Sequence, residues 1–214
     1  MNNPLRRLFR YRYDNAVLYL IGINALIFVL QQMFPRSSQG LGFTDYLALN
    51  PVLVMHGWVW QFVTYMFAHG GWSHLLFNML ALFLFGHQAE RQMGSREFLL
   101  YYMVTGVLAG LFSFAVYWVT GAYGVFLLGA SGALFAVQLA YAVFFPNAVV
   151  YVWGILPLRA PVMVLGFTAL EVFFSLTGFQ SGVAHLTHLA GFGFGWIYFL
   201  ARFRISPWKA LTRR

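Results

Sequence analysis

Six strongly polar side chains stand within apolar runs of this sequence: His74, Asn78, Ser131, Glu171, His185 and His188, with Glu90 at the edge of one run. Ser131 lies in Leu127-Leu-Gly-Ala-Ser-Gly-Ala-Leu-Phe135. A serine hydroxyl becomes a nucleophile when a base stands within hydrogen-bond reach. Gly129 would let the backbone turn sharply into a helix, and Gly132 would leave space beside the hydroxyl. A serine at a helix start also sits among free backbone N–H groups, which can stabilise an oxyanion. Taken alone, GxSG recurs by chance, and a serine among small residues is ordinarily a packing residue. His188 is the best candidate for the base. Ala190, Gly191 and Gly195 beside it let its helix approach another closely, so a Ser131–His188 dyad can form across two touching helices. His74 and Asn78, spaced i, i+4, share one helix face. Both can donate hydrogen bonds to a developing oxyanion and neither is negatively charged; for either alone, an interhelix hydrogen bond is the plainer role.

A metal is the competing use of these histidines. The zinc-protease pattern HExxH is absent, since leucine follows His74, His185 and His188 in turn. No carboxylate accompanies them apart from Glu171, so zinc would be left with histidine alone. The reading is therefore no metal and no cofactor. Cysteine is absent, which removes thiolate nucleophiles, cysteine metal sites and disulfides. His56, His69, His87 and His185 read as loop or packing residues. Glu171 is open to three readings: facing a cavity, sitting close to an interface, or pairing with a neighbour.

The elements that must position these groups follow from composition. Of 214 residues, 61% are hydrophobic and 8% charged, with mean hydropathy +0.71. Soluble domains carry about 25% charged residues, so the chain cannot cover a water-facing surface. It reads as an all-α polytopic membrane protein with six spans. The first runs from Val17 to Met33; a basic stretch precedes it as in a signal peptide, but no small-residue cleavage site follows. A long loop, Phe34 to Gly71, carries aromatics such as Trp58 and Trp60 that suit the membrane interface. The second span covers Trp72 to Gly86 and the third Phe98 to Val119, with a small-residue face at Gly106 and Gly110. The fourth covers Ser131 to Phe145, the fifth Pro161 to Leu176, and the sixth Val183 to Phe203 with a second GxxxG at Gly191 and Gly195.

Charge placement tests the count. With the N-terminus cytoplasmic and six spans, twelve of the thirteen basic residues fall on the cytoplasmic side and only Arg36 outside, as the positive-inside rule requires. The basic residues only punctuate apolar runs, so nucleic acid is excluded as a partner. The expected organisation is a basic cytoplasmic tail over 1–16, whose partner would be anionic lipid, a membrane domain over 17–203, and a basic cytoplasmic tail over 204–214. A transporter or proton relay is the alternative for intramembrane polar groups, but no internal repeat supports it.

The combination of these motifs resembles the rhomboid family of intramembrane serine proteases. The matching elements are His69-x4-His74-x3-Asn78 opening span 2, Gly129-Ala-Ser-Gly132 opening span 4, and His188-x2-Gly191-x3-Gly195 in span 6. Glu90-Arg-x2-Gly-Ser95 is similar to a further family pattern. The resemblance covers Val17 to Phe203 with the order of the spans intact, in the compact six-helix form of prokaryotic members. It implies Ser131 as nucleophile and His188 as general base, without a third carboxylate member. It implies an oxyanion hole made of the Ser131 backbone N–H with His74 and Asn78, and an aromatic ring, Phe135, packed on the base. Glu90 would be a structural carboxylate. Span 5 and the loop before span 6 would form the gate for a substrate helix. Implied partners are transmembrane protein substrates and the lipid bilayer of the cell membrane, with both termini cytoplasmic and the site opening outward. A relative that binds helices without cleaving them is the second reading, and retention of both Ser131 and His188 speaks against it.

Overall fold

The computed structural model describes residues 12–35, 40–177 and 183–212. Each of the six apolar runs folds into helix, and the chain is a polytopic helical membrane protein. Helix α1 (Ala16–Met33) is followed by a long connection with three short helices, α2 (Phe43–Leu47), α3 (Pro51–Met55) and α4 (Gln61–Thr64). Helix α5 (Trp72–Ala81) continues through a π-helical turn, Leu82–Gly86, into α6 (His87–Met93). Then come α7 (Ser95–Thr120), α8 (Ser131–Phe144), α9 (Ala160–Thr177) and α10 (Val183–Tyr198), the last extended by a π-helical turn, Phe199–Phe203. Three helices, α1, α7 and α9, have the length and apolarity to cross a bilayer by themselves, and α8 is a shorter apolar helix.

Three features depart from the sequence reading. The second span runs on to Met93 instead of stopping at Gly86, because the backbone remains helical through the π turn. A Cβ on Gly86 would stand 2.9 Å from Leu82 Cδ1 and 3.2 Å from Val17, so this glycine permits contact with α1 and does not end the helix. The stretch between α8 and α9 forms an antiparallel hairpin, β1 (Val149–Val152) with β2 (Leu156–Arg159). Residues assigned to the C-terminal tail include α11 (Pro207–Leu211), which starts at a Ser206 cap and lays Ala210 and Leu211 into the core against α8. The basic residues Arg6, Arg7, Arg10, Arg36, Arg213 and Arg214 lie outside the described residues, as does the loop over 178–182.

Helix α8 is the centre of the bundle: Ala133, Leu134, Ala136, Val137, Leu139 and Ala140 are all buried. Its alanines and Gly132 let α10 approach closely. A Cβ on Gly191 would overlap the Gly132 carbonyl, and one on Gly195 would lie 2.9 Å from Ala136 Cβ. Without a hydrophobic drive between helices in lipid, such close backbone approach is a main source of packing energy. The Gly106–Gly110 face of α7 is used differently: it receives Met66 and Tyr65 of the long connection.

That connection is tied down by polar anchors. Asn50 caps α3 by accepting from Leu53 N, and its Nδ2 donates to the carbonyls of Tyr123 and Val125. Buried Gln61 accepts from Asn50 N and donates to the Asp45 carbonyl. Leu49 pairs with Leu127 through two backbone bonds, and Tyr65 Oη donates to the Gly106 carbonyl at 2.6 Å. Trp58 and Trp60 stack on each other with Trp60 exposed, but Tyr65 and Met66 of the same stretch are fully buried.

Glu90 is completely buried. Its two oxygens accept from the Ala16 and Val17 amides at 2.7 and 3.0 Å, and from the Ser95 hydroxyl. The first amides of a helix have no acceptor within it, so this carboxylate caps α1 and fastens it to α6 and α7.

Candidate active site

Gly129 has φ +119°, a backbone conformation that side chains disfavour, and Ser131 follows as the first residue of α8. Gly129 N donates to the Tyr65 carbonyl at 2.9 Å, so the buried part of the long connection holds the turn that presents the serine. The close approach of α8 and α10 brings His188 Nε2 to 2.7 Å from Ser131 Oγ. This is the distance required for a base to receive the hydroxyl proton. Phe135, one turn along α8, stacks on the His188 ring at 4.7 Å between centroids and an interplanar angle of 8°.

His74 packs against the Ser131 turn. A Cβ on Gly129 would stand 2.7 Å from His74 Nε2 and 3.7 Å from Ser131 Oγ, so only glycine leaves space there. The Gly70 amide donates to His74 Nδ1 at 3.4 Å, which leaves Nε2 as the N–H donor facing the serine. His69 packs edge-on against this ring, and its own backbone is held by Gln31, as suits a loop residue that supports the site. Asn78 is buried and gives one hydrogen bond to the His74 carbonyl, leaving a second amide hydrogen on Nδ2. The structure therefore brings Ser131 and His188 into contact and sets His74 beside the same turn, with Asn78 one helical turn below. His56 and His87 lie elsewhere, bonded to the Val52 carbonyl and to Tyr13.

One group gains a definite place. Glu171 on α9 sets Oε1 3.1 Å from His188 Nδ1 and pairs through Oε2 with His185 Nδ1. A carboxylate thus accompanies two of the histidines, which corrects the expectation that a metal would be left with histidine alone. Of the three readings of Glu171, pairing with a neighbour is the one observed. The possible ligand atoms of Glu171, His185 and His188 lie within 4.8 Å of one another. Sequence held one signal for this cluster: His185 and His188 share a helix face at i, i+3, and Glu171 is the sole carboxylate within the last two apolar runs.

Ser131 and His188 thus stand in hydrogen-bond contact across two helices of a helical membrane bundle. The rhomboid domain model matches residues 56–205, and the chain belongs to the rhomboid family. Rhomboid protease AarA of Providencia stuartii is 27% identical over 191 residues, covering 81% of this chain and 67% of that protein. Rhomboid protease GluP of Bacillus subtilis is 34% identical over 122 residues, covering 56% and 24% respectively. Rhomboid protease GlpG of Haemophilus influenzae is 30% identical over 106 residues, covering 48% and 51%. A further Bacillus subtilis relative, 35% identical over 88 residues, is covered over 42% of its length. The chain thus spans from about a quarter to about two thirds of the relatives it matches.

Proposed function

We propose that this protein is an intramembrane serine endopeptidase that cleaves transmembrane protein substrates, with Ser131 as nucleophile and His188 as general base. The observation that carries the reading is the 2.7 Å approach of His188 Nε2 to Ser131 Oγ. In the first step His188 takes the Ser131 proton while Oγ bonds to the scissile carbonyl carbon. The carbonyl oxygen becomes an oxyanion that accepts from the Ser131 backbone N–H, His74 Nε2–H and Asn78 Nδ2–H. His188 then gives the proton to the leaving amine, and the acyl-enzyme is released by water through the same base.

The substrate helix must unwind before its carbonyl can reach Ser131, because its own hydrogen bonds protect it in lipid. Substrates are accordingly those with helix-weakening residues near the membrane boundary on the side of the Ser131 turn. The residues form one membrane domain over 17–203, onto which α11 of the following segment packs, with a basic tail over 1–16. It sits in the cell membrane with both termini cytoplasmic and the site opening outward. The test is cleavage of a transmembrane reporter in proteoliposomes, with product masses locating the cut. Cleavage lost in Ser131→Ala and in His188→Ala supports the reading; cleavage retained by either variant overturns it.

A further inference from the structure

The base has a second partner. We infer that Glu171 is a positioning residue for His188, so that Ser131, His188 and Glu171 work as a serine–histidine–carboxylate triad, with the carboxylate supplied by α9. The inference rests on the proposed Ser131–His188 chemistry and deepens it.

The chain has five carboxylates, and four have a structural occupation. Asp14 pairs with Arg12, Asp45 accepts from Gly42 N, Glu90 caps α1, and Glu97 receives Tyr198 and Arg202. Glu171 instead stands among apolar residues of α9 and faces only histidines among the described residues. The two ring nitrogens of His188 are used on opposite sides, Nε2 toward Ser131 Oγ at 2.7 Å and Nδ1 toward Glu171 Oε1 at 3.1 Å. Nδ1 is buried, and in the resting geometry its N–H does not align on that oxygen to make a hydrogen bond. A buried N–H without an aligned acceptor is costly, and a small rotation of the carboxylate or the ring supplies one. Catalytic hydrogen bonds are often loose in the free enzyme and tighten with substrate. Glu171 is itself oriented by its bond to His185, on the same face of α10.

The chemistry assigns each proton. With Nδ1–H directed at the carboxylate, Nε2 carries the lone pair and can receive the Ser131 proton as Oγ bonds to the carbonyl carbon. The imidazolium that forms is then flanked by the Glu171 negative charge. The Nδ1 proton remains on the ring throughout, and the Nε2 proton passes to the leaving amine.

The experiment compares wild type and Glu171→Gln in proteoliposomes containing EDTA. It follows Ser131 labelling by a fluorophosphonate and turnover of the transmembrane reporter, with Ser131→Ala as the blank. We expect Glu171→Gln to slow labelling by about 10- to 10⁴-fold, the upper end being the loss when an amide replaces the orienting carboxylate of a serine–histidine–carboxylate triad. Reporter kcat should fall by a similar factor with KM unchanged. Labelling at the wild-type rate, or a raised KM with unchanged kcat, overturns the triad and leaves the dyad standing. Failure of wild type to label Ser131 would instead sink the underlying dyad. Should Glu171→Gln not fold, proton NMR of the ¹⁵N-histidine wild-type protein decides: a His188 Nδ1 proton shifted strongly downfield by a carboxylate acceptor supports the triad, and one at the position of an unbonded ring N–H overturns it and leaves the dyad standing.

Discussion

Gly191→Ala tests the geometry of the site without touching either reacting side chain. The added Cβ would overlap the Gly132 carbonyl oxygen and stand 2.6 Å from its carbon. Non-bonded carbons settle at about 3.5–4.0 Å, so the two backbones must separate by about 1 Å. The obstacle is backbone, and no rotamer change can remove it. If α10 shifts away from α8 by that distance, the Nε2–Oγ separation grows from 2.7 Å to about 3.7 Å, beyond the reach of about 3.2 Å that proton transfer requires. Loss of general-base action then costs about 10²- to 10⁴-fold in rate, or roughly 3–5 kcal/mol of barrier. The overpacking itself should cost about 1–3 kcal/mol of stability. The assay is the rate of fluorophosphonate labelling at Ser131, measured well below the melting temperature of each variant. Gly193→Ala on the same helix is the control, because a Cβ there meets nothing within 4 Å; it should label as wild type does. A folded Gly191→Ala protein that labels at the wild-type rate would refute the argument that this helix contact sets the dyad distance.

Three further outcomes follow from named contacts. Glu90→Ala leaves the Ala16 and Val17 amides without their acceptor and should destabilise by about 1–3 kcal/mol, read as a lower melting temperature with Ser131 labelling retained at low temperature. Phe135→Ala removes the ring stacked on His188 and should slow labelling about 2- to 10-fold, the rate equivalent of an aromatic contact of about 0.5–1.5 kcal/mol, with little change in melting temperature. Asn50→Ala cuts the ties to Leu53, Tyr123 and Val125. It should destabilise by about 1–3 kcal/mol and speed proteolytic nicking after Tyr123, seen by mass spectrometry of limited digests.

The residues that sequence reading placed together are those whose partners announce themselves by type. Ser131 between glycines and His188 beside Gly191 carry both the chemistry and the small residues that chemistry across two helices requires. Glu171 could not be placed in the same way. Its pairing depends on how α9 and α10 are rotated about their axes, and no local periodicity fixes that angle. The long connection was similarly opaque. Trp58 to Phe67 has an amphipathic pattern that suits an interface, but Tyr65 and Met66 turn inward because Gly106 and Gly110 leave a trough for them on α7. The hairpin Val149–Arg159 falls in a stretch bounded by Pro146 and Pro161, where helix signals end and short strand signals are easily passed over. The extension of the second span to Met93 was hidden by Gly86, a residue that ordinarily breaks helices and here makes room for α1.

The cap supplied by Glu90 has a consequence for synthesis. The amides it receives belong to residues 16 and 17, while the carboxylate lies more than seventy positions later in the chain. When the first helix leaves the ribosome, the group that completes its leading turn has not yet been made. Ser95, which donates to the same carboxylate and also accepts from the Asp14 amide, comes later still. The first helix therefore begins its life in the bilayer with an unfinished end. The cap is complete only once the second apolar segment and the start of the third have been made, so the end of the first helix depends on residues that emerge well after it.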